Sequence, residues 1–302
     1  MHRTLWNEKY QRERLGLDGY KWFVEKAEPH IAACPECKGS GEILVPDTLR
    51  NHGPNDDTYK IRRQCTNCSV YGSCLADFVY CYFHFVPPAY RWCILSKLKS
   101  CEETSAIVSL AQQQAVLDML QNDPEGSYMF FGPPHSGKTV WTSALYIQNL
   151  WLHHMRDGGN SRYTPCKGRS PIWRITAKKM LDQHTDYAMR RFEKDDDGFS
   201  VVDEPDINAD KIVKLRHNGA RSRLYLEEID KISQTDARRN NLFEIINTLH
   251  EQEGVLVLNS NLRPEEFAVQ FGEDFAWRIG KKCKTINLFA TDEARVLTTE
   301  ER

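Results

Sequence analysis

From about Ile107 onward, apolar positions fall into two alternating patterns. Ile107 to Gln121 places Ile107, Leu110, Ala111, Val116, Leu117 and Leu120 at helical spacing and predicts an amphipathic helix. Tyr128 to Phe131 is a short apolar run that opens onto a glycine-containing loop, as a buried strand would. Thr139 to Met155 again has helical character, and Pro171 to Ile175 reads as a strand. Leu224 to Leu226 and Val255 to Leu258 complete a set of short buried strands. Glu193 to Asp210 is acidic and weakly patterned, and reads as a surface insertion. Strands alternating with helices predict an α/β fold, a parallel sheet flanked by helices. There is no internal repeat and no heptad array.

The pattern upstream is different. Met1 to about Lys26 reads as a short helical lead-in rich in charge and in aromatics (Trp6, Tyr10, Tyr20, Trp22, Phe23). Such residues either fill a core or face a partner. A cysteine-rich stretch runs from Cys34 to Cys81 and is interrupted by a polar segment, Pro46 to Asp57, expected to be an exposed loop. Pro87-Pro88 then punctuates the chain. This divides the sequence into a small N-terminal module, residues 1–86, and a larger domain, residues 87–302. A length of 302 residues accommodates one of each.

Composition narrows the class. A hydrophobic fraction of 40% and a charged fraction of 27% are those of an ordinary globular protein. The net charge of -2 neither announces nor excludes a nucleic-acid binder, because local basic surface attracts phosphates. Met1 to Tyr10 has no apolar core for a signal peptide, and no apolar run is long enough to span a bilayer. The expectation is a cytoplasmic chain with no membrane partner. Of the ten cysteines, eight lie between Cys34 and Cys101, which points to metal rather than disulfides. Cys34-Pro35-Glu36-Cys37 and Cys65-Thr66-Asn67-Cys68 are two C-x-x-C knuckles. Each can place two thiolates on one ion, and together they complete a tetrahedral Zn²⁺ site. Cys74 or Cys81 could replace one ligand; His30 and His84 read as surface or packing residues. A closed four-cysteine site is structural, so its expected role is to scaffold a partner surface.

Gly132-Pro133-Pro134-His135-Ser136-Gly137-Lys138-Thr139 fits the G-x-x-x-x-G-K-[ST] phosphate loop (Walker A) at every position. Glycines let backbone N–H groups close around phosphates, Lys138 neutralises the β/γ-phosphates of ATP, and the Thr139 hydroxyl binds Mg²⁺. An apolar strand precedes the loop, and a helix whose N-terminus favours anions follows it. The partner motif is an apolar strand ending in acid, supplied by Leu224-Tyr225-Leu226-Glu227-Glu228-Ile229-Asp230. One carboxylate, Glu227, would hold the magnesium shell, and Glu228 would polarise the attacking water. A lone Glu-Glu pair would otherwise read as a solvated turn.

These segments resemble a known family. Leu224 to Lys231 looks like the L-F-L-D-E-I-D-K pattern of AAA+ ATPases, with Glu227 where the first Asp usually stands. The longer side chain puts the metal-shell geometry in question and implies slow hydrolysis; Glu228 keeps the catalytic position. Val255-Leu256-Val257-Leu258-Asn259-Ser260-Asn261-Leu262 resembles the strand ending in T-S-N-L of DnaC/DnaI-type helicase loaders, which puts Asn261 at the sensor-1 position. Val86 to Arg91 resembles the I-P-P-R-Y-R entry to the ATPase domain of that family, and Ile175-Thr176-Ala177 with Leu181 its second strand and helix. Phe275-Ala276-Trp277-Arg278-Ile279 looks like the segment that carries its arginine finger, here Arg278. The resemblance covers roughly Val86 to Leu288. Arg295 is spaced poorly for the sensor-2 arginine and reads as a salt-bridged tail residue. Cys34 to Gly41 also resembles a zinc repeat of DnaJ-type chaperones, but only one copy is present and no H-P-D follows.

The resemblance implies an ATP-hydrolysing helicase loader or similar replication accessory. It would assemble as a homo-oligomer through its ATP interfaces. The zinc module would contact a replicative helicase, and ATP would switch the grip on single-stranded DNA. Basic candidates for DNA contact are Lys178, Lys179, Arg190, Arg191, Arg238 and Arg239, though basic residues on helices are usually solvated faces. Two other readings stay open: an IstB-type transposition helper with the same ATPase core, and a non-hydrolysing, ATP-gated adaptor.

Overall fold

The computed structural model describes residues 21, 25, 42–46, 60–64, 78, 81–82, 85–101, 104–105, 107–153, 172–190, 205–217, 221–232, 235–289 and 296–297. The chain divides into two compact units. One comprises Met1–Ile94 with Leu150–Cys166, the other Leu95–Asn149 with Lys167–Arg302.

In the first unit, β1 (Glu42–Pro46) and β2 (Lys60–Gln64) form an antiparallel ribbon, with Glu42 opposite Gln64 and Pro46 opposite Lys60. Phe78, Tyr82, Val86, Cys93 and Ile94 are buried, and the Phe78 ring meets the Trp151 ring edge-on at 5.4 Å. The Tyr82 hydroxyl donates to the carbonyl of Arg91, which pins the turn following Pro88–Tyr90. Cys81, one alternative zinc ligand, is buried here.

The second unit contains the sheet. In chain order its elements are α1 (Leu110–Asn122), β3 (Tyr128–Phe131), α2 (Lys138–Leu152), β4 (Ile172–Thr176), α3 (Ala177–Arg190), α4 (Ala209–His217), β5 (Arg223–Glu227), α5 (Asp236–Glu251), β6 (Val255–Ser260), α6 (Pro264–Phe271), α7 (Glu273–Lys282), β7 (Lys284–Asn287) and β8 (Val296–Leu297). The last residues of α2, from Leu150 on, fall in the first unit. The strand order is β4-β5-β6-β3-β7-β8; the first five are parallel and β8 runs antiparallel to β7. This is the expected α/β architecture, a five-stranded parallel sheet flanked by helices.

Alternation along the strands assigns the two faces. Met129, Phe131, Leu224, Leu226, Leu256 and Leu258 join one continuous core with residues of α3 to α7. On the opposite face Tyr225 meets Tyr146 of α2 edge-on at 5.1 Å and donates to the Leu145 carbonyl at 3.3 Å. The six residues of β6 are all buried, as a central parallel strand requires. Phe267, Phe271 and Phe275 stack against one another at 4.6 to 6.0 Å, and Phe267 reaches Phe131 at 5.6 Å. That aromatic cluster fixes α6 and α7 to the end of the P-loop strand.

The helix expected from Ile107 begins at Leu110, capped by Ser109, whose side chain accepts from the Gln112 N–H. Ile107 and Leu110 are exposed, while Gln112 and Gln113 are buried. The buried glutamines add hydrogen bonds ahead of the apolar face formed by Val116, Leu117 and Leu120. Gln112 Nε2 donates to the Asn287 carbonyl at 2.9 Å, and Gln113 Nε2 donates to the carbonyls of Ser105 and Val108 at 3.1 and 2.9 Å. Buried amides so satisfied fix position rather than add apolar burial. Of the expected acidic insertion, residues 193–204 lie outside the described residues, while Ile207 is buried in the core.

Candidate active site

Because β3, β5 and β6 are parallel, their C-terminal ends open on the same edge of the sheet, where ligands of such folds gather. At that edge the register sets Phe131 beside Ser260, and the Gly132 N–H donates to the Ser260 carbonyl at 3.2 Å. The three segments singled out in the sequence therefore converge: the loop after β3, the acids after β5, and Asn261 after β6.

The loop residues take the conformations the motif needs. His135 and Gly137 both have positive φ, 66° and 87°. A Cβ on Gly137 would lie 2.5 Å from the Thr104 carbonyl oxygen, and one on Gly132 would lie 2.5 Å from Ser136 Oγ. Only glycine fits either position. Ser136 is buried, Pro134 and His135 are exposed, and Lys138 opens α2. Ser105 Oγ donates to the His135 carbonyl at 3.4 Å, so the segment around Thr104 and Ser105 backs the loop. Sequence reasoning missed that segment, which carries no motif.

Lys138 is 8% exposed, and its ammonium donates to the carbonyls of Gly132 and Pro133, at 2.7 Å for the latter. Burial pushes its pKa down to about 8, opposed by Asp230 and reinforced by Lys231. A cation held among loop carbonyls, at a helix N-terminus, is ready to exchange those carbonyls for phosphate oxygens. The donor set fits a magnesium triphosphate: a lysine ammonium, the Thr139 hydroxyl, the loop amides, and a cradle that a Cβ would fill. When bound, the metal would neutralise phosphate charge, with Thr139 and Glu227 as the residues to hold it.

The acids behave differently from one another. Glu227 ends β5 and is half of an ion pair with Arg174, 2.7 Å, in which both side chains are largely buried. Glu228 adopts a left-handed conformation, φ 55° and ψ 45°, at the entry to the 3-10 turn Ile229–Lys231. A non-glycine residue held there is strained, and such strain gathers at functional positions. Three hydrogen bonds hold Glu228 among the described residues: its N–H donates to Asn259 Oδ1 at 2.7 Å, its carbonyl accepts from the Lys231 N–H at 3.0 Å, and its carboxylate accepts from Lys231 Nζ at 2.6 Å. Asn261 is tied to the next acid, its N–H and Nδ2 donating to the two Asp230 carboxylate oxygens at 3.0 and 2.9 Å. Asp230 and Asn259 thus organise the site without having been singled out. A polar residue in an otherwise apolar strand was the available signal for Asn259.

Arg278 lies on the exposed face of α7. It donates to Asn247 Oδ1 at 3.1 Å and its guanidinium sits 4.9 Å from the centre of the Phe243 ring. Neither Glu273 nor Asp274, the carboxylates nearest in sequence, is its partner. A cleft of about 450 Å³ borders this region, lined by Arg239, Phe243, Phe271 and Phe275 among others. Of the basic candidates, Arg238 pairs with Asp182 at 2.6 Å and Arg239 with Asp236 at 2.9 Å. Lys178 and Lys179 are exposed on α3, whereas Arg191 and the side chain of Arg190 lie outside the described residues. So do Arg295 and the zinc ligands Cys34, Cys37, Cys65 and Cys68. Among the described residues no group of His, Cys, Asp or Glu is arranged to hold a metal ion, and no helix is long and apolar enough to cross a membrane.

No family model matches the chain, and no curated protein is similar to it in sequence. Solved structures similar in part include the following three. AMPPCP-bound DnaA from Aquifex aeolicus is 13% identical, with a TM-score of 0.44 over 70% of this chain and 53% of that one. The DnaC helicase loader is 16% identical, with a TM-score of 0.44 over 68% of this chain and 100% of that one. Domain III of the replication initiation protein DnaA from Thermotoga maritima is 15% identical, with a TM-score of 0.42 over 67% of each. The chain thus spans about half the length of the Aquifex DnaA chain. Its own strand order and glycine loop define the class: an α/β fold with a P-loop at the C-terminal edge of a parallel sheet.

Proposed function

We propose that the chain is a magnesium-dependent ATPase of the AAA+ helicase-loader type, coupling ATP to the grip on a replicative helicase or similar client. The observation that carries the ATPase reading is the convergence of a complete phosphate loop with Glu227, Glu228 and Asn261 at one sheet edge. The residue-level resemblance from Val86 to Leu288 supports the loader assignment over a generic P-loop protein. Homo-oligomers would form through the ATP interfaces, with Arg278 reaching a neighbour's nucleotide. Single-stranded DNA would contact basic surface such as Lys178 and Lys179. The cysteine module argues against the IstB-type reading. A non-hydrolysing adaptor is favoured by one observation: both acids are already engaged by cations, Glu227 by Arg174 and Glu228 by Lys231.

The test is nucleotide affinity. Lys138→Ala removes the buried ammonium and should weaken ATP binding by roughly tenfold or more, since hydrogen bonds to charged groups contribute about 1.5–3 kcal/mol. Equal affinity in wild type and variant would refute the assignment. The pH profile gives a second signature. Above about 8 the free lysine is neutral and must take up a proton to meet phosphate. Affinity should therefore fall as pH rises through that value, and Lys138→Ala should lose this dependence. Stability moves the other way. With the folded pKa below the unfolded one, the unfolded state binds more protons between the two values, so the fold gains stability as pH rises through that window.

The N-terminal module we propose as a Zn²⁺ site of Cys34, Cys37, Cys65 and Cys68. Its support is the sequence: two C-x-x-C knuckles that together supply four thiolates. Elemental analysis of the full chain should find about one zinc per molecule, lost on Cys34→Ser with ATP binding spared. A folded, zinc-free protein would sink this site.

A further inference from the structure

The residues expected to hold magnesium sit on different elements, Thr139 on α2 and Glu227 at the end of β5. One buried side chain links them. Arg174, on β4, has a side chain 3% exposed. Its Nε and Nη2 both donate to Glu227 Oε1, at 3.1 and 2.7 Å. Nη2 also donates to Ser143 Oγ at 2.9 Å, and the Ser143 hydroxyl in turn donates to the Thr139 carbonyl at 2.6 Å. The guanidinium lies 5.7 Å from the centre of the Tyr146 ring, which completes its enclosure against α2.

The sheet register explains why this works. Arg174 pairs with Tyr225 and Thr176 with Glu227, so Arg174 and Glu227 are diagonal neighbours on the same face. Diagonal positions are about 7–8 Å apart, within reach only of long side chains. Aspartate at 227 would fall one methylene short. The glutamate that departs from the family pattern and the arginine across from it therefore form a matched pair. As a stabilising device the pair is poor. Two charges are taken out of water, and Arg174 Nη1 is buried with no hydrogen-bond partner among the described residues. Desolvation of that kind offsets most of the Coulombic gain.

We propose that Arg174 is a positioning residue for the metal shell. It holds Oε1 of Glu227 against the sheet, leaves Oε2 for the magnesium shell, and through Ser143 ties that carboxylate to the turn carrying Thr139. This rests on the Mg-ATP reading and adds to it the residue that compensates for glutamate at 227.

The experiment titrates the full chain with a fluorescent ATP analogue, in EDTA and across a magnesium series, for wild type, Arg174→Met, Arg174→Lys, Glu227→Asp and Ser143→Ala. Arg174→Met and Glu227→Asp should each raise the magnesium concentration for half-maximal binding by about tenfold, the scale of one charged hydrogen bond. Affinity in EDTA should stay within about twofold of wild type. Arg174→Lys should recover part of the loss, and the Arg174→Met/Glu227→Asp double variant should be no worse than either single one, as expected of one coupled unit. A folded Arg174→Met with wild-type magnesium dependence overturns the proposal. So does an equal loss of affinity with and without metal, which would mark a purely structural role. Should Arg174→Met fail to fold, unchanged magnesium dependence in both Glu227→Asp and Ser143→Ala overturns it instead. Wild type that binds no nucleotide in either condition would overturn the underlying ATP reading, a result distinct from all of these.

Discussion

Glu228→Gln should bind Mg-ATP as tightly as wild type and hydrolyse it at least about a hundred times more slowly, the usual contribution of a positioned general base. The amide keeps the shape of the side chain and can still hydrogen-bond a water, but it cannot take the proton. Position supports this role. Glu228 directly follows Glu227, the strand-end residue proposed to hold magnesium, and its left-handed backbone turns it out of the β5 direction. The Asn259 side chain holds that backbone through the Glu228 N–H, so the strained conformation is built in rather than incidental. Lys231 pairs with the Glu228 carboxylate, and both side chains are about half exposed. An exposed pair of this kind is weak, on the order of 1 kcal/mol or less, so it can open when nucleotide arrives. Measurement of steady-state phosphate release beside equilibrium ATP binding separates the outcomes. A variant that keeps more than about a tenth of wild-type turnover excludes Glu228 as the base. Wild type with tight binding and no turnover would put the ATP-gated adaptor ahead.

How much of this was legible in the sequence depends on how local each interaction is. The glycine loop is eight consecutive residues, so the place of Gly132 to Thr139 between β3 and the start of α2 could be read directly. The acids after β5 were legible for the same reason. The α/β alternation was legible because buried parallel strands are short uniform apolar runs between amphipathic helices. Periodicity failed where polar groups are buried with partners. The inward face of α1 carries Val116, Leu117 and Leu120 as expected, but its first turn is set by Gln112 and Gln113, whose amides bond carbonyls of Asn287, Ser105 and Val108, while Ile107 and Leu110 stay in solvent. Nothing in a hydropathy pattern reports such bonds.

Arg174 shows the same limit within the site. In sequence it is one arginine in the run Ile172–Thr176, and its partner lies 53 residues further on. Only the parallel register of β4 with β5 makes them neighbours. The Glu-for-Asp departure at 227 was visible, but its physical meaning required the residue opposite. Asn261 illustrates a finer point. Its place at the end of β6 was legible; its attachment to Asp230 through both main chain and side chain was not.

If Arg278 acts on a neighbouring subunit's nucleotide, Arg278→Ala and Glu228→Gln should each be nearly inactive alone and should regain activity when mixed. The structure frames this expectation. Arg278 stands on the exposed face of α7, a helix locked to the core by Phe275 and Ile279. Among the described residues it makes one neutral hydrogen bond, to Asn247, and a cation–π contact with Phe243. An arginine whose job was to neutralise a carboxylate would pair with Glu273 or Asp274, which precede it in the first turn of the same helix, and it does not. A guanidinium held by neutral and aromatic partners keeps its charge available for an incoming phosphate. Where such an arginine stabilises charge developing on a γ-phosphate, the effect reaches about 10³–10⁵-fold in rate. In a mixed oligomer, an interface that joins an intact Arg278 to an intact Glu228 has every part the chemistry needs. Random mixing of equal amounts in a ring leaves about a quarter of interfaces of that kind, so recovery approaching one quarter of wild-type turnover is the expected signal. Subunit exchange must be shown separately, for instance by energy transfer between labelled variants. If labelled subunits exchange and no activity returns, or if Arg278→Ala alone turns over like wild type, the trans-acting assignment of Arg278 is wrong.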